Sequence, residues 1–284
     1  MKKTLRVAAI AIYALVFGFP LYWVATMSIK PKAEENPPGI TLWKPQNPTT
    51  KNFEDILGLS QTSNSVFATA KDYSALTPLK NSFLAAGGGT LLALAVGVFA
   101  AYGIARFRAG GAQLPFQILQ LRMFPPAAVV IPLYFMFVYL KLWNTLPGLI
   151  LIYGAVTFPF VVWLMRSFFQ DVPREISEAA IVDGCTQWGA FFKAVLPQVK
   201  GGLAATGLFV FILNWSDYLI VLVMTQDKWT TAPLFLSALS GGSGGQEYGH
   251  QAALAILLIL PPAILGLSIQ KYLVRGLTFG AIKR

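Results

Sequence analysis

Three side chains stand out because a bilayer-sized apolar stretch is a costly place to keep them. Arg122 lies inside the apolar block 114–140, eight residues after its first leucine and beside Pro125-Pro126. Asn214 and Asp217 lie inside the block 203–224, with Trp215 between them and Tyr218 next to Asp217. Polar and ionisable groups at membrane depth mark either a functional path or a buried pair. Asn and Asp offer hydrogen bonds to hydroxyls, and aromatic rings stack on the apolar faces of sugar rings. A few oriented polar groups in an aromatic setting are the chemistry that a transient carbohydrate site needs. Arg122 adds the option of an anionic solute, such as a sugar phosphate, sulfonate or acid. The competing reading is structural: Arg122 and Asp217 pair across the bundle and neutralise one another.

Other chemistry is thin. A single cysteine, Cys185, allows no internal disulfide, and packing is its default role. A single histidine, His250, cannot build a His-rich metal site and reads as an interfacial polar cap. No Gly-Lys dipeptide occurs, which excludes a Walker A phosphate loop. Gly87–Gly89 and Gly241–Gly245 also lack the GxGxxG spacing. No catalytic residue, metal ligand or bound cofactor is therefore assigned to this chain. If ATP is used, another chain must bind it.

The elements that position these residues are apolar blocks. Of 284 residues 55% are apolar and 12% charged, about half the charge of an ordinary soluble domain. Blocks long enough to cross a bilayer are read as spans. They fall at Val7–Met27, Leu79–Ala105, Leu114–Leu140, Leu146–Met165, Leu203–Met224 and Ala252–Leu273. The first exceeds a signal-peptide core and has no small-x-small cleavage site, so it reads as a retained span, kinked at Pro20. The second and third exceed the roughly 20 residues of a straight crossing. Breaks are expected at Gly87–Gly89, and at Pro125-Pro126 with Pro132. Irregular backbone at that depth survives only against protein or a water-filled cavity.

Orientation follows from the basic residues. With the N-terminus in the cytosol, thirteen of the 22 Lys and Arg fall inside, eight outside, and Arg122 within a span. Six of the eight lie in or beside the first outside loop, which translocates largely regardless of charge. Both termini are then cytoplasmic. The net charge of +10 is scattered at block ends, which fits anionic membrane lipid and not nucleic acid. Residues 1–27 hold the N-terminus and first span. Residues 28–78 form an extracytoplasmic loop, too polar and short for its own core, with Trp43 and Phe53 as anchors. Residues 79–284 form the membrane core, and the loop 225–249 ends in a flexible glycine tether.

Residues 167–202 are the largest cytoplasmic segment. Pro173 is placed to open a helix whose early turns carry Glu175 and Glu178. Gly184 breaks it, Thr186 caps a second short helix, and Pro197 ends that helix. Trp188, Phe191, Phe192 and Val195 share one face by their spacing. That face either packs on the chain's own bundle or lies in a partner's groove. Spacing leaves both readings open.

The run Glu178-Ala179-Ala180-Ile181-Val182-Asp183-Gly184, with Leu196-Pro197 twelve and thirteen residues after the glycine, resembles the EAA loop. That motif marks membrane subunits of binding-protein-dependent ABC importers. Two departures, the lack of a second proline near Lys200 and Ala194 in place of a larger aliphatic, bear on fine geometry. Ile131-Pro132-Leu133-Tyr134, Asn144-Thr145 with Gly148-Leu149, Asn214-Trp215-Ser216-Asp217-Tyr218 and Gly276–Lys283 resemble maltose-type carbohydrate permeases. The resemblance runs from about Val7 to the C-terminus.

The resemblance implies an all-α membrane protein of six transmembrane helices with a cytoplasmic two-helix coupling loop. It implies a permease subunit of an ATP-driven importer for a carbohydrate or related polyol, in the bacterial inner membrane. Its implied partners are a second permease forming a heterodimer, a homodimeric ATPase carrying ATP and Mg, and an extracytoplasmic solute-binding protein. Glu178, Ala179, Ala180, Asp183 and Gly184 are carried over as the ATPase-docking element, joined by Trp188 and Phe191 of the apolar face and by Pro197. Arg122, Asn214, Trp215, Asp217 and Tyr218 are expected along the translocation path. An ion-driven secondary transporter fits less well, because no internal repeat is visible. A membrane enzyme would need clustered acids or histidines at the membrane face.

Overall fold

A computed structural model describes residues 2–35, 43–59, 74–239 and 248–280. Every regular element among them is helical, as lipid demands of backbone groups that water cannot satisfy. Helix α1 (Lys2–Ser28) runs through Pro20, and α2 (Lys32–Glu35) and α3 (Lys51–Ile56) are short. Helix α4 (Leu76–Phe107) is followed by α5 (Leu114–Gln120), α6 (Pro126–Tyr139) and α7 (Leu146–Gln170). Then come α8 (Arg174–Val182), α9 (Gln187–Ala190), α10 (Lys200–Trp215), α11 (Leu219–Met224), α12 (Ala232–Ala238) and α13 (Tyr248–Gly280). Five described helical stretches are long and apolar enough to cross a membrane, and a bent pair counted as one span makes six.

The bent pair lies where the prolines predict it. Leu114–Met123 and Pro126–Tyr139 meet at 92°, with the break at Phe124-Pro125. Two other expectations are corrected. Gly87–Gly89 does not break α4, which continues through it. Pro197 does not end the second loop helix either. From α9 the chain passes through a π turn (Phe191–Val195) and a 3-10 turn (Leu196–Val199) straight into α10. The altered turns absorb the hydrogen bond that proline cannot donate. The fifth span breaks elsewhere, at Ser216–Tyr218 between α10 and α11.

The chain divides into two compact units, the first comprising Met1–Lys80 with Thr231–Pro261. Within it the 28–78 segment shares a core instead of building its own. Ile56 and Ala75 are buried with Phe235, Leu239 and Leu254. The missing apolar surface comes from α12 and α13, more than 150 residues away in sequence. Asn52 donates to the carbonyls of Ser28 (3.0 Å) and Lys30 (2.8 Å). His250 is buried, its Nε2 lying 3.2 Å from Asp55 Oδ2, so it ties this unit together and is no open cap. Glu34 accepts from the backbone N–H of Gln46 and from both nitrogens of Asn47. The Gln46 bond foremost, with those from Asn47, holds its carboxyl below the usual range. Trp43 packs 6.0 Å from the rings of Phe19 and Trp23, whereas Phe53 is half-buried. The Gly241–Gly245 tether lies outside the described residues.

The second unit comprises Asn81–Thr230 with Pro262–Arg284. Its helices meet through small residues, which let backbones approach where no hydrophobic drive exists. A Cβ on Gly88 would fall 2.6 Å from Ile150, and one on Gly97 2.6 Å from Val161. Gly88, Gly89 and Gly97 of α4 are therefore contact surface for α7. A buried aromatic group joins Tyr102 of α4, Phe169 of α7 and Phe191, with the Tyr102 and Phe191 rings 4.7 Å apart. Thr145 caps α7 by accepting from Gly148 N at 3.1 Å, and a Cβ on Gly148 would meet the Leu142 carbonyl. Trp143 Nε1 donates to Val223 O (3.2 Å) and Asn144 N to Met224 O (3.0 Å). The Asn144–Gly148 stretch thus sets the entry to α7 and holds the end of α11.

Candidate functional site

Two broken spans leave a cavity of about 390 Å³ within the second unit. Its wall comes from the α5–α6 break, the middle of α7, and the α10–α11 break. Most of the lining is apolar, including Val130, Leu133, Ile152 and Val156. Its hydrogen-bonding side chains include Arg122, Tyr153, Asn214 and Asp217. A largely apolar hollow with a few convergent polar groups is the usual form of a small-solute site.

The breaks explain how these groups reach the cavity. Arg122 sits in the 3-10 turn that precedes the 92° bend. Its guanidinium carbon lies 4.9 Å from the Phe160 ring centre, and its Nε is buried without a hydrogen bond. Asp217 sits in the gap after α10, where its carboxylate accepts from Ile220 N (3.1 Å) and Val221 N (3.4 Å) at the start of α11. Tyr153 Oη donates to the same carboxylate at 3.4 Å. Asn214 is buried, and its Nδ2 donates to Thr90 Oγ1 at 3.2 Å.

Arg122 and Asp217 line one cavity without an ion pair within 4 Å. Each is held by other groups. Trp215 is buried and stacked on Phe211 at 5.5 Å, and Tyr218 is partly exposed; neither lines this cavity. Tyr153 and Thr90 are additions that sequence reading missed. Each is one polar residue in an apolar block, with no spacing signal to separate it from an interfacial residue.

The residues of the 167–202 segment form a second candidate site in the same unit. Pro173 caps α8 from just outside instead of opening it. The helix then closes on Gly184, whose φ is +88°. Cys185 N donates to Ala180 O (3.0 Å) and Gly184 N to Ile181 O (3.0 Å), a Schellman closure. Thr186 caps α9 as expected, accepting from Gly189 N at 3.1 Å. A Cβ on Gly184 would meet nothing within 4 Å, so only its backbone conformation demands glycine. Gly184→Ala is expected to cost roughly 1–2 kcal/mol of loop stability, through left-handed strain alone. Thermal unfolding of the purified chain checks this, and an unchanged melting temperature would contradict it.

The apolar face of the loop divides in two. Phe191 (1% exposed) and Val195 are buried in the core, so this half packs on its own bundle. Trp188 (63%), Phe192 (51%) and Val182 (87%) stand out in the open. Glu178, Ala179, Asp183, Gly184 and Pro197 are also exposed, and Ala180 is half-buried.

Comparison with known proteins places this arrangement among others. The family described as "Binding-protein-dependent transport system inner membrane component" matches residues 93–279. The trehalose transport system permease protein SugB of Mycobacterium tuberculosis is 32% identical over 275 residues, covering 95% of this chain and 94% of its own. The sulfoquinovosyl glycerol transport system permease protein SmoH of Agrobacterium fabrum is 31% identical, covering 99% and 94%. The trehalose/maltose transport system permease protein MalG of Thermococcus litoralis is 28% identical, covering 100% and 98%. In fold, the chain resembles a solved bacterial ABC transporter involved in import of the acidic polysaccharide alginate. The TM-score is 0.75 at 21% identity, over 95% of this chain and 96% of that one.

Proposed function

The chain belongs to the family of inner membrane components of binding-protein-dependent transport systems, and on that premise we propose that it passes a carbohydrate or related polyol. It is a multi-pass membrane subunit and not itself an enzyme. The observation that carries the proposal is the cavity at two broken spans, where Arg122, Tyr153, Asn214 and Asp217 converge on an apolar hollow. The sugar substrates named for SugB, SmoH and MalG support the same class. Arg122, with its buried Nε making no hydrogen bond, favours a solute that carries an acidic group.

In this proposal a homodimeric ATPase binds ATP and Mg and docks on the loop through Glu178, Ala179, Asp183, Trp188 and Phe192. A second permease completes the path as a heterodimer, and an external protein delivers solute. ATP hydrolysis shifts the docked loop, and the continuous helix from Gln187 to Trp215 carries that shift to Asn214. Both termini lie in the cytosol.

The test is transport by the reconstituted complex with its binding protein. Asp217→Asn and Asn214→Ala, in complexes that still assemble, are expected to lower uptake about tenfold, the scale of one lost hydrogen bond to a charged or buried group. Uptake equal to the unaltered complex would overturn the proposed path. Arg122→Leu is expected to spare neutral sugars and lose acidic ones.

A further inference from the structure

A second cavity of about 680 Å³ lies within the same unit, at the end where α4 and α7 both finish. Four arginines line it: Arg106, Arg108, Arg166 and Arg174. Arg106 belongs to the last turn of α4, and Arg166 lies one turn before the end of α7. Arg174 opens α8. Arg108 follows α4 with a left-handed backbone, φ +53°, in a turn continued by Gly110 and Gly111 at +73° and +76°. Non-glycine residues rarely hold that conformation unless their surroundings impose it.

Charge here is unbalanced and unsatisfied. Glu175 is the only carboxylate in the lining, against four guanidinium groups. Among the described residues no ion pair within 4 Å joins it to any of them. Arg106 donates one long bond, from Nη2 to Pro173 O at 3.4 Å. The Nε atoms of both Arg106 and Arg166 are buried and make no hydrogen bond. Buried donors of charged groups are costly to leave unmade. Guanidinium forks match the oxygens of phosphate, two bonds at a time.

We infer that this cavity is a phosphate site, filled by the headgroup of an anionic phospholipid. The helix ends place it at headgroup level, where basic pockets between membrane helices hold such groups. Free phosphate offers the same oxygens, so the test separates the two sources. This site is distinct from the solute cavity, with which it shares no lining residue.

The test uses the full-length chain with its partner subunits. In nanodiscs of phosphatidylcholine doped with phosphatidylglycerol, native mass spectrometry counts the phosphatidylglycerol retained. In lipid-depleted detergent, inorganic phosphate alone is titrated by thermal shift. Two double variants are compared, Arg106→Gln with Arg166→Gln, and Arg108→Gln with Arg174→Gln. The second pair is exposed, so its loss of binding cannot be ascribed to a collapsed fold. Each pair is expected to weaken retention about tenfold or more, the scale of one lost charge-assisted bond. Arginine-dependent retention of phosphatidylglycerol supports a lipid site, and arginine-dependent saturation by phosphate supports a free-anion source. Equal retention by all three proteins, or binding of neither probe, would overturn the inference. So would retention seen only after the ATPase is stripped away, which would assign the arginines to an acidic protein surface.

Discussion

Trp188→Glu is expected to abolish assembly of this chain with its ATPase while leaving the chain itself folded. The indole is mostly exposed, stacked beside Phe192 at 6.4 Å and set edge-on to Phe99 at 5.7 Å. Removing a ring that buries little surface changes stability by about 0.5 kcal/mol or less. At an interface the same ring acts as an anchor. Truncating such an anchor costs 2 kcal/mol or more, roughly thirtyfold in affinity. A carboxylate in an apolar groove adds a repulsive element to that loss. The measurement is copurification of the ATPase, with the melting temperature of the chain as control. Phe191→Ala should behave oppositely, destabilising the bundle by about 3–5 kcal/mol, because Phe191 is core. ATPase recovered at unaltered yield with Trp188→Glu would contradict the docking role.

Gly97→Leu carries the second large effect, this time on folding. A Cβ there would sit 2.6 Å from Val161 Cγ1 and 2.8 Å from its Cβ, and Val161 is fully buried. A branched core residue has no free end to swing aside, so α4 and α7 must separate. Overpacking of this kind costs about 1–3 kcal/mol or more, and here it acts on the helix pair bearing Thr90 and Tyr153. Gly103 offers a control on the same helix, because a Cβ there meets nothing within 4 Å. Thermal unfolding of Gly97→Leu should fall by several degrees while Gly103→Leu stays near the unaltered chain. Equal melting of the two would show that small residues do not set this contact.

What could be read in the chain, and what could not, divides along locality. Hydropathy located the spans, because block length is a local property. The Gly184 break and the Thr186 cap were equally legible, since each depends on backbone geometry within a few residues. Pro125-Pro126 announced the bend for the same reason. Gly87–Gly89 misled because a glycine can mark a break or a close contact, and only Ile150 and Tyr153 decide between them. Pro197 misled because two unusual helical turns accommodate it. The core that buries Ile56 and Ala75 was invisible, as Phe235 and Leu254 come from distant sequence. In the candidate site, the cost of burying Arg122, Asn214 and Asp217 pointed to residues that share one cavity. Tyr153 gave no such warning, and Trp215 and Tyr218, chosen as aromatic neighbours able to stack on a sugar ring, do not line the cavity. Phe191 and Trp188 looked alike by spacing, yet packing sends one inward and the other out.

The central claim is that the loop around Gly184 meets the ATPase at the cytoplasmic face, and cross-linking tests it most directly. Cys185 is the chain's only cysteine, so Cys185→Ser gives a clean background. Ala179→Cys or Asp183→Cys, both at exposed positions, is then paired with cysteines introduced along the ATPase cleft in intact membranes. Leu140→Cys, exposed between α6 and α7, serves as the control, since α7 separates it from the loop. Oxidation should join positions 179 and 183 to the ATPase, with ATP altering the yield, and should leave position 140 unlinked to it. No ATPase cross-link at either loop position, or one formed instead at position 140, would contradict the account.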